Sequence, residues 1–150
     1  MILPDVNLLV YAYSSAAPHH RQARQWWEDA INGMQPIGLP WVVALGFVRI
    51  ITSPAVMAQP MEAVTALAHL QAWLEQPSVF LLQPGPRHLP FLRGFAQAGL
   101  MAPALVTDAH IAALALEHQG CVHSNDADFA RFPGLRWINP LQGSAAWEGA

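Results

Sequence analysis

The sequence predicts an α/β fold, a parallel sheet of about four or five short strands flanked by helices on both faces. Short apolar runs alternate along the chain with segments of helical spacing. Those runs are apolar throughout, as strands buried on both faces are, instead of alternating with polar residues. No repeat, low-complexity tract or Ser/Gly linker divides the 150 residues, so one domain spanning 1–150 is expected, large enough to bury a core.

Met1 to Pro4 reads as the first strand, with Pro4 placing it near a sheet edge or a strand end. Asp5 to Tyr13 has helical spacing, with Val6, Leu9, Val10 and Tyr13 on one face. A second helix begins at Pro18, passes through Arg21, Arg24, Trp27 and Ile31, and is ended by Asn32-Gly33. Pro36 to Leu39 is a brief strand. Trp41 to Thr52 is a helix apolar nearly all round, which predicts burial on every side. Pro60 to Glu75 is helical, Val79 to Leu82 a strand, and Arg87 to Gly99 helical. Thr107 to Gln119 is a strong helix with Gly120 as its stop. Cys121 to His123 and Trp137-Ile138 are the last strands, and Gln142 to Ala150 is small and polar enough to fray.

Hydrophobic residues make up 53% of the chain and charged residues 11%, a composition that predicts apolar surface facing a partner. The net charge of −3 gives no global footprint for a polyanion. All seven basic residues are Arg, so any such binding must come from local arginines. A lone cysteine, Cys121, suits a reducing cytoplasm. Leu8 to Ala17 is apolar, but no positive charge precedes it and Asp5 lies where a leader would be basic. Gly46, Arg49 and Pro54 interrupt the apolar stretch Trp41 to Ala58, so no membrane span is expected.

Ten residues are acidic, and four of them sit in two strings at opposite ends of the chain. Asp5 follows the first strand. Asp108 opens the helix before the Cys121 strand, and Asp126 and Asp128 follow that strand. Parallel sheets bind ligands at the carboxyl ends of their strands, near the switch in strand order. Three carboxylates distant in sequence would meet there. Like charges raise each other's pKa, a cost that a bound divalent cation removes. Oxygen-only ligation suits Mg²⁺ or Mn²⁺. A metal pair about 3.5–4 Å apart would suit phosphodiester hydrolysis. Asn7 would orient a water or a carboxylate, and Ser124 and Asn125 would donate to a phosphate. Each acid also has an ordinary use: Asp5 and Asp108 as helix N-caps, Asp126 and Asp128 as turn residues.

Asp5-Val6-Asn7, Thr107-Asp108-Ala109-His110 through Ala115, Ser124-Asn125-Asp126-Ala127-Asp128-Phe129 and Asn139-Pro140 resemble a PIN-domain ribonuclease. More narrowly, the chain resembles the VapC toxins of type II toxin–antitoxin pairs, over essentially its whole length. The resemblance implies a Rossmann-like parallel sheet and an Mg²⁺- or Mn²⁺-dependent endoribonuclease that cuts RNA at few sites. It also implies a homodimer silenced by a VapB-type antitoxin encoded beside it. Carried over by position, Asp5, Asp108 and Asp126 are the catalytic, metal-binding acids. Asp128 is an auxiliary metal-binding acid, and Asn7 and Ser124 are polar supports.

One departure stands out. The family usually carries a Glu on the helix after the second strand, a few residues before an Arg. Here that place in Leu45-Gly46-Phe47-Val48-Arg49 holds Gly46, and no Asp or Glu occurs from Gly33 to Met61. Two readings stay open: an active site of three Asp plus Asp128, or a degenerate PIN domain acting as an RNA- or protein-binding module. Arg49, on the same side as Gly46, would either grip an RNA phosphate or pair with a site aspartate. Arg21 and Arg24 read as a solvated helix face or the wall of an RNA groove, and His110, close to Asp108, as a helix-surface histidine or an RNA contact. Trp26, Trp27, Trp41 and Trp73 read as core or dimer packing, and the dimer surface is expected on the helices carrying Trp73 and Phe91.

Other chemistries fit less well. Phosphoacceptor domains and haloacid-dehalogenase-type phosphatases also set an Asp after the first strand, but both lean on a lysine, and this chain has none. No glycine-rich phosphate loop follows the first strand, which argues against nucleotide binding. The histidines lack zinc-ligand spacing.

Overall fold

The computed structural model describes residues 1–142. The tail expected to fray lies, from residue 143 onward, outside the described residues. The chain forms β1 (Ile2–Pro4), α1 (Val6–Tyr13), α2 (His20–Asn32), β2 (Ile37–Pro40), α3 (Trp41–Ile51), α4 (Ala63–Leu74), β3 (Val79–Leu82), α5 (His88–Gln97), α6 (Val106–Glu117), β4 (Cys121–His123) and β5 (Arg136–Ile138). Short 3-10 turns cover Pro103–Leu105 and Ala127–Arg131.

All strands are parallel, in the order β3-β2-β1-β4-β5. From β1 the chain steps outward through β2 to β3, then crosses back past β1 to β4. Right-handed crossovers therefore put α1 to α4 on one face and α5 and α6 on the other. The direction of stepping reverses between β1 and β4. Their register pairs Pro4 with His123, so both strands end at the same level.

Pro4 closes the central strand, so it marks a strand end and not a sheet edge. Gly120 does precede β4, but the residue with positive φ is Gln119, at 54°. Glycine is required at 120 because a Cβ there would collide with the Leu3 side chain of β1. Close packing, not turn geometry, selects that residue.

The helix α3 is not buried all round. Val43, Ala44, Phe47 and Ile51 are buried, while Trp41, Val42 and Leu45 are 44%, 38% and 54% exposed. A helix lying on a sheet has one face toward it, and its outer face needs a further element to cover it.

Beneath this layer an aromatic cluster ties α1 to α4 together. Trp73 packs on Trp27, Phe47 and Tyr13, with ring centroids 5.3, 4.9 and 5.4 Å away. Its indole N–H donates to the Tyr13 hydroxyl at 2.8 Å. Trp73 is thus a core residue, and dimer packing by its side chain is ruled out. Removing a buried tryptophan costs about 3–5 kcal/mol, whereas an exposed site costs about 0.5. Trp73→Ala is accordingly expected to lower the urea midpoint far more than Trp41→Ala. Equal losses would contradict this packing.

Candidate metal centre at the strand ends

The site is built on the hydrogen bond joining the ends of β1 and β4, where the Asp5 N–H donates to the His123 carbonyl at 2.9 Å. Asp5 is buried, 6% exposed. Its Oδ1 accepts from the Val6 N–H at 2.8 Å, capping α1, and its Oδ2 accepts from the Ser124 hydroxyl at 2.7 Å. Ser124 is fully buried and is the hub of the site. Besides donating to Asp5, its Oγ accepts from the Asn7 amide at 3.3 Å and from the Asp126 N–H at 2.9 Å. Its proton is engaged by Asp5, so it is not left for a phosphate.

Asn125 braces the site through two contacts that leave its side-chain N–H donors unused. Its N–H donates to Asn7 Oδ1 at 3.4 Å, and its Oδ1 accepts from the Asn139 amide at 2.9 Å. Asn139 in turn accepts from the Leu141 N–H at 3.0 Å, and the Trp137 indole donates to the Ser124 carbonyl at 3.1 Å. The bracing by Asn139 and Trp137 was missed at sequence level. The Asn139-Pro140 string was the one signal for it.

Asp108, Asp126 and Asp128 each present a carboxylate oxygen within 4.8 Å of the other two. Asp108 lies in the first turn of α6, where the helix dipole favours a negative charge, but it does not cap the helix. Asp126 caps the 3-10 turn by accepting from the Asp128 N–H at 2.9 Å. Asp128 is exposed, with Arg131 at 3.8 Å, a surface pair of small energetic weight. Asp5 stands behind this trio, close enough for its charge to be felt by Asp108.

Electrostatics mark the cluster as overloaded with negative charge. Desolvation, then repulsion from Asp5, Asp126 and Asp128, pushes the Asp108 carboxyl up to about 6. Burial raises Asp5 as well, against the lowering effect of its hydrogen bonds from Ser124 and Val6. The donor set is oxygen only, which fits a hard divalent cation.

Gly46 is buried against α1, and a Cβ there would lie 3.4 Å from Val6 Cγ2. Arg49 is exposed and makes no ion pair among the described residues, so it does not pair with a site aspartate. Arg24 pairs with Glu28 at 3.0 Å on the exposed face of α2. His110 is not a free surface histidine. Its Nδ1 lies 2.8 Å from Nε2 of buried His88, whose Nδ1 meets Glu117 at 3.0 Å. That polar chain lies on the side of α6 opposite Asp108.

Comparisons with known proteins agree with this architecture. The family described as PIN domain matches residues 2–135. "Ribonuclease VapC33" of Mycobacterium tuberculosis is 45% identical over 142 residues, covering 95% of this chain and 99% of that one. "Ribonuclease VapC37" of the same organism is 36% identical, covering 93% and 97%. Among solved structures, VapBC-1 from nontypeable Haemophilus influenzae superposes with a TM-score of 0.66 at 14% identity, over 93% of this chain and 98% of that one. FitAcB from Neisseria gonorrhoeae gives 0.61 at 17%, over 95% and 100%.

Because the folded-state pKa of Asp108 is raised, its protonation stabilises the metal-free fold at low pH, and that contribution is lost as pH rises through about 6. His123 works the other way, since burial lowers its imidazole to about 4. The comparison must therefore be with Asp108→Asn. That variant is expected to gain stability over wild type, growing to about 1 kcal/mol as pH rises from about 4 to about 6 and level above it. A pH-independent difference in thermal melts would contradict the crowding of charge described here.

Proposed function

We propose, from the membership of this chain in the PIN-domain family and its VapC branch, that it is the toxin of a VapBC-type pair and hydrolyses RNA phosphodiester bonds. The observation that carries this reading is the convergence of Asp108, Asp126 and Asp128 within 4.8 Å, in front of buried Asp5. Asp5, Asp108 and Asp126 would hold the catalytic Mg²⁺ or Mn²⁺, with Asp128 at the exposed rim. Bound there, the cation supplies Lewis-acid chemistry, polarising a phosphoryl oxygen and activating an attacking water.

The remaining work falls to the chain's own residues. Ser124 holds Asp5 in one orientation and draws the Asp126 backbone toward it. Asn7 fixes the loop that carries Asp126 by bonding both Ser124 and Asn125. Arg49, exposed and without an ion pair among the described residues, is available for an RNA phosphate. The relatives named as ribonucleases support RNA as substrate, and the VapBC and FitAB neighbours support a VapB-type antitoxin as partner. No helix among the described residues is long and apolar enough to cross a membrane.

A second reading rests on Gly46. With no carboxylate on α3, the domain would bind RNA or protein without cutting it. The crowding of the trio, which lifts the pKa of Asp108, favours the enzyme, since a binding module has no use for so much repulsion.

Purified protein given Mg²⁺ or Mn²⁺ is expected to cut total RNA into discrete fragments, and EDTA to stop it. Asp5→Asn and Asp126→Asn should each slow cleavage about a hundredfold or more, the scale of losing one preorganised electrostatic contact. Cleavage at the wild-type rate by either variant would remove the mechanism, and intact RNA with no uptake of metal would favour the binding module. A homodimer is expected through Val64 and Leu67 of α4, Phe80 of edge strand β3 and Leu89 of α5, which are 78%, 51%, 49% and 72% exposed. A monomeric mass by light scattering at micromolar concentration would overturn that part.

A further inference from the structure

Beside the acidic centre, on the α1 side, lies a groove of about 430 Å³ whose walls include Val6, Asn7, Val10, Tyr11, Ile50 and Met57. Asn7, Val10, Tyr11 and Ser14 follow one another at helical spacing and form a single stripe along α1. The opposite wall is the end of α3 and the turn after it, where the Met57 N–H donates to the Ser53 carbonyl at 2.8 Å. Most of the lining is apolar, and Tyr11 is half-buried with its hydroxyl free of hydrogen bonds among the described residues. The Tyr11 ring leans on His19, with centroids 5.9 Å apart.

Three facts say what fits there. First, the groove is continuous with the site: Asn7 lines it and also bonds Ser124 and Asn125, and Val6 follows Asp5 in sequence. Secondly, Ile50 in its wall is preceded by Arg49, an exposed cation with no ion pair among the described residues. A phosphate beside that guanidinium would bring its nucleotide to the mouth of the groove. Thirdly, the net charge is −3 and the centre is acidic, so phosphate contacts alone give little grip on a polyanion. Single-stranded RNA is gripped in such cases by splaying a base out and stacking it on an aromatic side chain.

Resting on the ribonuclease reading above, we infer that this groove is a base subsite, taking one unstacked nucleobase of the RNA next to the scissile phosphate. Tyr11 provides the stacking surface, and the apolar walls of Val10, Ile50 and Met57 exclude water from the inserted base. The subsite gives the enzyme a hold on a base, which the carboxylate centre, with its groups for phosphate and metal, does not have.

The test uses a single-stranded RNA of about ten nucleotides, made with an abasic residue at each position in turn. Cleavage is followed with wild-type protein, Tyr11→Ala and Ala58→Trp. The second variant fills the groove from an exposed position on its wall. Binding is measured separately in an Asp108→Asn background, which keeps the RNA uncut.

At one position the abasic residue is expected to weaken both binding and kcat/KM about fivefold or more, the range of a lost stack. Both groove variants should lose a similar factor on intact RNA and become indifferent to the abasic residue at that position. Variants that bind and cut intact RNA like wild type, or keep the same abasic profile, overturn the subsite and leave the groove to a protein side chain. If wild type cuts nothing but its binding keeps the position-dependent loss, the subsite stands and the ribonuclease reading falls. RNA that is neither bound nor cut removes both.

Discussion

Four carboxylates gathered where β1 and β4 end repel one another, and most of the local architecture holds them there against that repulsion. Asp5 is buried, and the pKa of Asp108 is lifted to about 6 by burial and by its three acidic neighbours. Such an arrangement is unfavourable for stability alone. It persists because the acids are fixed by three separate elements: Asp5 by the start of α1 and by Ser124, Asp108 by α6, Asp126 and Asp128 by the 3-10 turn after β4. A bound divalent cation would relieve that repulsion at its source.

Ser124 makes the arrangement rigid. A single buried hydroxyl donates to Asp5 and accepts from Asn7 and from the Asp126 backbone, so three parts of the site share one atom. The chain from Asn7 through Asn125 to Asn139 extends the bracing across to the segment after β5. Further back, the parallel pairing of β1 with β4 sets the level at which the two strands end, and Gly120 lets α6 hand over to β4 close against Leu3. Core packing and site geometry are therefore linked through the same two strands.

Much of this was legible in the sequence, for definite reasons. The strands at Val79–Leu82 and Cys121–His123 stand out as short β-rich runs between helical segments, and both lie where expected. The strand-end rule brought Asp108 and Asp126 to one place, but the third acid within reach of them is Asp128, while Asp5 stands behind as the buried cap of α1. What was not legible depends on tertiary partners. The composition of α3 could not tell a helix buried on every side from one with an apolar outer face, since that depends on what else packs there. His110 looked like a surface residue because its partner, His88, lies on another helix. Ser124 looked like a phosphate donor because nothing local shows that Asp5 already takes its proton. Gly120 was read as a helix stop, yet its lack of a side chain answers to Leu3 on β1.

The claim at the centre of this account is that the strand-end carboxylates form one cation site under charge strain. Calorimetric titration of the protein with Mn²⁺ near pH 6, repeated in buffers of different ionisation heat, tests it most directly. Binding should release protons, because Asp108 is part-protonated there and must ionise to ligate. The released protons should disappear in Asp108→Asn. Mn²⁺ uptake without proton release, or no uptake by the wild-type protein, would contradict the account.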